Sequence, residues 1–206
     1  MRKLTVMVWT TLDGVAQAPG GPDEDSGSGF VHGGWAAPYV DRRILDVATA
    51  MVTRASAMLM GRTSYEIFAG AWPGADDPIG ARLNALPKYV ASTTLDSVAW
   101  ENSTLLTGDV AEAVRELKQG DGGEIQVHGS LGLVQTLLTH DLVDEFLIMV
   151  APVVLGTGKR LFGDGAFPAG LRLVGTMTSG NGVVVSTYAR DGKVQYGEVG
   201  PKTENW

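Results

Sequence analysis

"AMLMGRTSYEIF", residues 57–68, decides how this chain is read. An apolar run stops at Gly61 and Arg62, and two hydroxyl residues, Thr63 and Ser64, follow at once, with Glu66 three places beyond Thr63. A buried strand giving way to glycine and then to a Thr-x-x-Glu pattern predicts a strand–turn–helix unit, with Thr63 as the cap and Glu66 at the third helical position. Such a turn points free backbone N–H groups and the positive end of a helix dipole at the space in front of it, which favours a phosphate. Arg62 adds a cation. Taken by itself, the stretch also reads as an ordinary capped helix.

Working outward, the same alternation recurs. "KLTVMVW" (3–9) reads as a first strand and "SAMLM" (56–60) as a second; "KYVAS" (88–92) and "STLLT" (103–107) are two more. Ile44, Leu45, Ala48, Met51, Val52 and Ala55 recur at helical spacing, with Pro38 upstream as a start signal. Asp109 and Glu112 predict a capping box opening "VAEAVRELK", after which "EIQVHG" is a strand, "SLGLVQTLLTH" a helix and "DEFLIMVAPVV" a strand. Alternation of this kind implies an α/β fold with a mixed, mostly parallel central sheet flanked by helices. From residue 171 onward, three strand-like runs are separated by Asn181-Gly182 and Asp191-Gly192, read as type I′ hairpin turns with positive φ at both central residues. An antiparallel meander is therefore expected at the C-terminal end. The irregular stretch 16–35, rich in Gly, Pro, Asp and Ser, is either a functional loop or disordered.

Composition narrows the function. The 206 residues suit a single domain, and 44% hydrophobic with 19% charged residues is ordinary for a soluble globular protein. Cysteine is absent, which excludes disulfides and thiolate metal sites, and the three histidines His32, His128 and His140 share no metal-like spacing. A net charge of −7 with no basic stripe argues against nucleic acid. Neither a signal peptide nor a membrane span is read in the chain, so a cytoplasmic location is expected.

The chemistry is sought at the carboxyl ends of the strands, where open α/β sheets bind ligands. Asp13-Gly14 in "TTLDGVA" follows the first strand, and the plain alternative there is a simple chain turn. Gly61 to Ser64 follows the second. Gly129 and Ser130 open a helix after "QVH", and two such glycine turns in one sheet fit the paired phosphates of a dinucleotide. "APVVLGTGKRLFGDG" (151–165) is a glycine-rich turn with Lys159 and Arg160, read either as a ligand contact or as a solvated loop. No Walker loop, GxGxxG or GxSxG pattern occurs.

The order "LDG", "LMGRTSYE", "KYVAST", "VHGSLGLVQTLL", "PVVLGTGKRLF" resembles the dihydrofolate reductase-like superfamily, and within it the RibD C-terminal domain of riboflavin biosynthesis, over roughly residues 2–190. The resemblance implies a three-layer reductase fold with an antiparallel C-terminal hairpin, NADPH as cofactor and a homodimer. It implies cofactor contacts from Thr11, Gly14, Gly61, Arg62, Thr63, Ser64, Ser92, Thr93, Gly129, Ser130, Leu131 and Gly132. Preference for NADPH over NADH would rest on Arg62, Ser92, Thr93 or Lys88 at the 2′-phosphate. Asp13 or Asp41 is the candidate proton donor, and Trp35, Tyr39, Tyr65, Leu155, Gly156 and Arg160 are candidate substrate contacts; Phe68 is as readily a core residue. The expected substrate is a pteridine-, pyrimidine- or ribosylamine-like small molecule. A nucleotide-binding protein with little activity, or a flavin-type cofactor in the same cleft, are the alternatives.

Overall fold

The computed structural model describes residues 1–163 and 168–200. Gly165, at the end of the glycine-rich turn, and all but the first residue of the tail "GPKTENW" lie outside them.

Strand β1 (Leu4–Thr11) sits near the middle of an eight-stranded sheet of order β4-β3-β2-β5-β1-β6-β8-β7. The other strands of the sheet are β2 (Ala55–Gly61), β3 (Lys88–Ala91), β4 (Ser103–Leu106), β5 (Glu124–His128), β6 (Glu145–Ala151), β7 (Leu171–Thr178) and β8 (Val184–Arg190). Pairing is parallel from β4 across to β6 and antiparallel at β6–β8 and β8–β7. The expected mixed α/β sheet with an antiparallel C-terminal hairpin is therefore what the chain forms.

Period-two alternation sorts each central strand between two helical layers. In β2, Ala57 and Leu59 face the layer of α4 (Val110–Gln119) and α5 (Leu131–Thr139), joining Leu4, Val6, Val8, Ile125 and Val127. Met58 and Met60 face the other way, toward α1 (Arg42–Arg54), α2 (Arg62–Ala71) and α3 (Pro78–Ala85), through Val52, Tyr65 and Leu83. Strands covered on both faces read as near-continuous apolar runs.

The structure departs from the sequence expectations at particular points. Helix α2 begins at Arg62, two residues earlier than a Thr63 cap requires; its N-cap is Gly61, with no side-chain cap bond, and Glu66 faces Arg62 at 3.7 Å. Asp109 does cap α4 by accepting from Glu112 N–H, but the Glu112 carboxylate is held by Arg115, so the box is half made. Pro38 lies in a short 3-10 turn, and Asp41 caps α1 instead. Helix α3 has no counterpart among the sequence expectations. The β7–β8 loop is not type I′: Gly182 has φ of 82° while Asn181 is not among the positive-φ residues, and Ser179 closes the loop by receiving Gly182 N–H and pairing with Val183. The third C-terminal run, after Asp191-Gly192, forms no strand over its described residues.

Candidate active site

From β1 the chain runs through α1 to β2 on one side; from β5 it runs through α5 to β6 on the other. The connections diverge between the adjacent strands β1 and β5, and such a switch point leaves a crevice at the carboxyl ends. A cleft of about 830 Å³ occupies it.

One end of the cleft is built from backbone. Gly61 to Ser64 and Gly129 to Gly132 both border it, presenting the first turns of α2 and α5, whose N–H groups have no partners within the helix. A reciprocal pair of bonds joins the two turns: Gly61 N–H donates to Ser130 Oγ and Ser130 N–H to Ser64 Oγ, each at 3.0 Å. Gly129 (φ 63°) and Ser130 (φ 53°) are both left-handed. Glycine tolerates this freely, whereas serine gives up about 1 kcal/mol there, which the two bonds offset. Beside them, Ser92 Oγ accepts from Thr94 and Leu95 N–H at 3.1 and 3.0 Å, and Ser92 and Thr93 line the wall. Arg62, half-exposed, supplies the cation.

Another wall comes from residues 16–25 of the 16–35 stretch, a loop held by its own hydrogen bonds. Gln17 knits it by donating to Asp25 and Gly27 carbonyls and accepting Lys159 N–H, all at 3.0 Å. Glu24 Oε2 accepts from Gly20 and Gly21 N–H at 2.5 and 3.1 Å. Burial raises the Glu24 carboxyl above its ordinary range despite those two bonds and with some help from the Asp25 charge. Burial also acts upward on Asp25, but its bond to Lys159 Nζ (2.6 Å) and to Gly27 N–H outweighs it and the carboxylate ends lower than usual. Trp9, Ile44, Leu45 and Phe68 form the apolar middle, and His128 lies at the foot of the cleft, its imidazole driven down to about 4 by burial and so neutral.

Other residues expected at the site lie elsewhere. Lys88 is wholly buried in the core, donating from Nζ to the Asn84, Leu86 and Glu101 carbonyls. Tyr65 is buried beneath α2, with its hydroxyl accepting Ala99 and Trp100 N–H at 2.9 Å. Trp35 donates to Gln17 O within the loop, and Tyr39 packs beside it. Asp41 spends Oδ1 on Ile44 N–H and Oδ2 on Gly180 and Asn181 N–H, tying α1 to the hairpin loop. Thr11, Asp13, Gly14, Leu155, Gly156 and Arg160 form a knot outside the cleft lining that binds the end of β1 to the segment after β6. The Thr11 hydroxyl bond, with Gly156 and Leu155 N–H, holds the Asp13 carboxyl down at about 2. Asp13→Asn is expected to lower the melting temperature at neutral pH while the wild-type advantage vanishes as pH falls toward 2, because the depressed group stabilises only while ionised. Equal melting of the two proteins at neutral pH would contradict the knot.

Sequence reasoning did not place Glu24, Asp25 or His128 at the cleft, whereas Phe68, read as wall or core, and Lys159, read as ligand contact or solvated loop, both line it. His128 alone carried a usable signal, since it directly precedes the Gly129 turn.

Comparisons fit this geometry. The uncharacterized protein YyaP of Bacillus subtilis (strain 168) is 32% identical over 150 residues, 70% of this chain and 79% of that protein. A crystal structure of a protein assigned to riboflavin biosynthesis from Shewanella sp. PV-4 superposes with a TM-score of 0.66 at 22% identity, covering 92% of this chain and 99% of that one. The diaminohydroxyphosphoribosylaminopyrimidine deaminase/5-amino-6-(5-phosphoribosylamino)uracil reductase of Thermotoga maritima gives 0.61 at 14% identity, over 92% of this chain and 57% of that one. At these identities the two structures speak for the fold alone. The RibD C-terminal domain matches residues 2–185, from just before β1 to the first two residues of β8, so that seven of the eight strands, the cleft and both glycine turns fall within one match: the chain belongs to the RibD C-terminal domain family.

Proposed function

We propose that the chain is an NADPH-dependent reductase acting on a small polar heterocycle of pteridine, pyrimidine or ribosylamine type. The observation that carries this reading is the pair of helix N-termini clasped by Ser64 and Ser130 and opening onto one cleft. Two phosphates need two sets of free N–H donors at a fixed separation, and the clasp fixes it. In this reading the Gly61–Ser64 and Gly129–Gly132 turns hold the phosphates through the N–H groups of residues 62–64 and 131–132, since those of Gly61, Gly129 and Ser130 are already bonded, and Arg62, Ser92 and Thr93 receive the 2′-phosphate. NADPH, when bound, supplies the hydride. The apolar middle excludes water, and Glu24, whose carboxyl is raised by burial, is the group placed to hold a proton at the cleft wall. A cytoplasmic homodimer completes the reading; exposed Leu171, Leu173 and Val174 on the edge strand β7 give a second copy an apolar seat.

A second reading, a nucleotide-binding protein of low activity, is favoured by one observation: Asp13 and Asp41 are spent on backbone N–H groups away from the cleft. Titration with NADPH and NADH, followed by nicotinamide fluorescence, tests the shared step. NADPH is expected to saturate, and Arg62→Ala to weaken it roughly tenfold while leaving NADH unchanged. If neither nucleotide binds, both readings fall; if Arg62→Ala leaves NADPH affinity unaltered, the 2′-phosphate assignment falls.

A further inference from the structure

On β5, Glu124, Gln126 and His128 alternate with Ile125 and Val127, so the three polar side chains share the face turned toward α1. They are wired in series. The Gln126 side-chain nitrogen lies 2.8 Å from Met51 O and 2.8 Å from Glu124 Oε1. A backbone carbonyl and a carboxylate, the latter beside Arg54 at 3.6 Å, are acceptors, so the atom facing both is the amide NH2. Gln126 Oε1 is thereby turned onto His128 Nε2 at 3.0 Å. An amide oxygen only accepts, so Nε2 carries the proton. In a neutral imidazole the other nitrogen is then a bare acceptor.

That nitrogen, Nδ1, makes no hydrogen bond among the described residues. Nor is it among the side-chain polar atoms there that are both buried and unpartnered, which are Thr5 Oγ1, Ser103 Oγ and Arg190 Nη1. It therefore keeps access to the space that His128 borders, which is the cleft. Phe68 meets the ring at 6.1 Å between centroids and 86° between planes, which restrains the imidazole's tilt.

We propose that His128 is a ligand-recognising residue: Nδ1 accepts a hydrogen bond from an N–H group of the molecule in the cleft, and Glu124 with Gln126 position it by fixing the tautomer. The ligand class is a neutral N–H donor, either a carboxamide or the ring or exocyclic N–H of a pyrimidine-like heterocycle. A molecule offering only carbonyl oxygen at this point leaves acceptor facing acceptor and is disfavoured. The choice between these two sources rests on the reductase reading; the tautomer does not.

Nitrogen NMR of the imidazole, on ligand-free protein and then with NADPH or aminouracil added, tests the proposal. The free protein is expected to show His128 protonated at Nε2 alone. One of the two probes is expected to shift the Nδ1 resonance upfield, as a bare nitrogen does on accepting a hydrogen bond. A shift with NADPH assigns the contact to its carboxamide, and a shift with aminouracil alone assigns it to the substrate. His128→Phe is then expected to weaken the responsible probe roughly three- to tenfold and leave the other unchanged. Gln126→Met is expected to mix the two tautomers, a spectroscopic change that a purely packing role would not produce. Protonation at Nδ1 in the free protein, or an Nδ1 resonance unmoved by either probe, overturns the proposal. A nicotinamide fluorescence that never responds, beside an Nδ1 shift with aminouracil, sinks the reductase reading and leaves the acceptor standing.

Discussion

Lys88→Met is expected to lower the unfolding free energy by about 3 kcal/mol, and Lys88→Ala by about 4 to 5 kcal/mol once the added void is counted. Lys88 begins β3, has no exposed surface, and places Nζ 4.3 Å from the centre of the Trp100 ring. Its three donors go to carbonyls of residues 84, 86 and 101, where the chain leaves α3 and where it enters β4. Methionine fills the same volume but offers no donor. The Leu86 and Glu101 carbonyls then lose theirs, while that of Asn84 keeps Asn102. Urea midpoints measure the loss, which corresponds to roughly 10 °C in melting temperature for a chain of this size. Desolvation also brings the Lys88 ammonium down to about 8, with the Glu101 charge opposing. The unfolded chain therefore binds more protons than the folded one between about 8 and the ordinary lysine value, so this residue makes wild-type stability climb with pH there. Lys88→Met is expected to flatten that climb; a variant as stable as wild type, with the same pH slope, would show that the ammonium is not buried.

The second large effect is expected at Gly33. A Cβ placed there would stand 2.4 Å from Pro22 O and 2.6 Å from Gly21 O, distances that real Cβ atoms do not adopt, and both obstacles are backbone. The 33–36 segment lies directly under 18–22, with Gly34 N–H on Ala18 O and Ala36 N–H on Pro19 O. Gly33→Ala must lever the two apart, carrying Gly20 and Glu24 away from the cleft wall. A cost of about 2 to 3 kcal/mol is expected, together with faster protease nicking within 16–35. Gly70→Ala serves as the contrast: its Cβ meets nothing within 4 Å in α2, so a small gain in stability is expected from helix propensity. A Gly33→Ala protein with an unchanged urea midpoint and unchanged nicking would mean that the loop does not rest on this glycine.

How far the sequence could be read follows from where each determinant lies. Strands β1, β2 and β6 were legible because both faces are covered and the runs are mostly apolar. Helix α3 was not, although Asp77 and Pro78 mark its start; it is eight residues long and follows the turn-forming run "WPGADD", which obscured it. The entry to α2 is hidden in the sequence because the hydroxyl that serves Gly61 belongs to Ser130, on another strand–helix junction. No local pattern shows a partner so distant in the chain. Carboxylates were the hardest case. Asp13, Asp41 and Glu24 all stand in loops or at helix starts and all accept from the chain's own N–H groups, and only the fold reveals that the third alone does so at the border of the cleft. The β5 stripe was the reverse: Glu124, Gln126 and His128 at every second position were visible, and what was missing was only a reason to connect them.

The Ser64–Ser130 bonds have a consequence for how this cleft can change through mutation or engineering. Each glycine turn takes its shape partly from a hydroxyl on the other, so neither is a transferable module. A turn transplanted from a relative without its counterpart arrives missing a bond on both sides. Substitutions at Gly61, Ser64 and Ser130 should therefore be non-additive, and a reshaped pair of turns should come from paired exchanges across the two junctions. Single exchanges at these three positions should lose affinity for every nucleotide alike, unlike Arg62, whose side chain takes no part in the bonds.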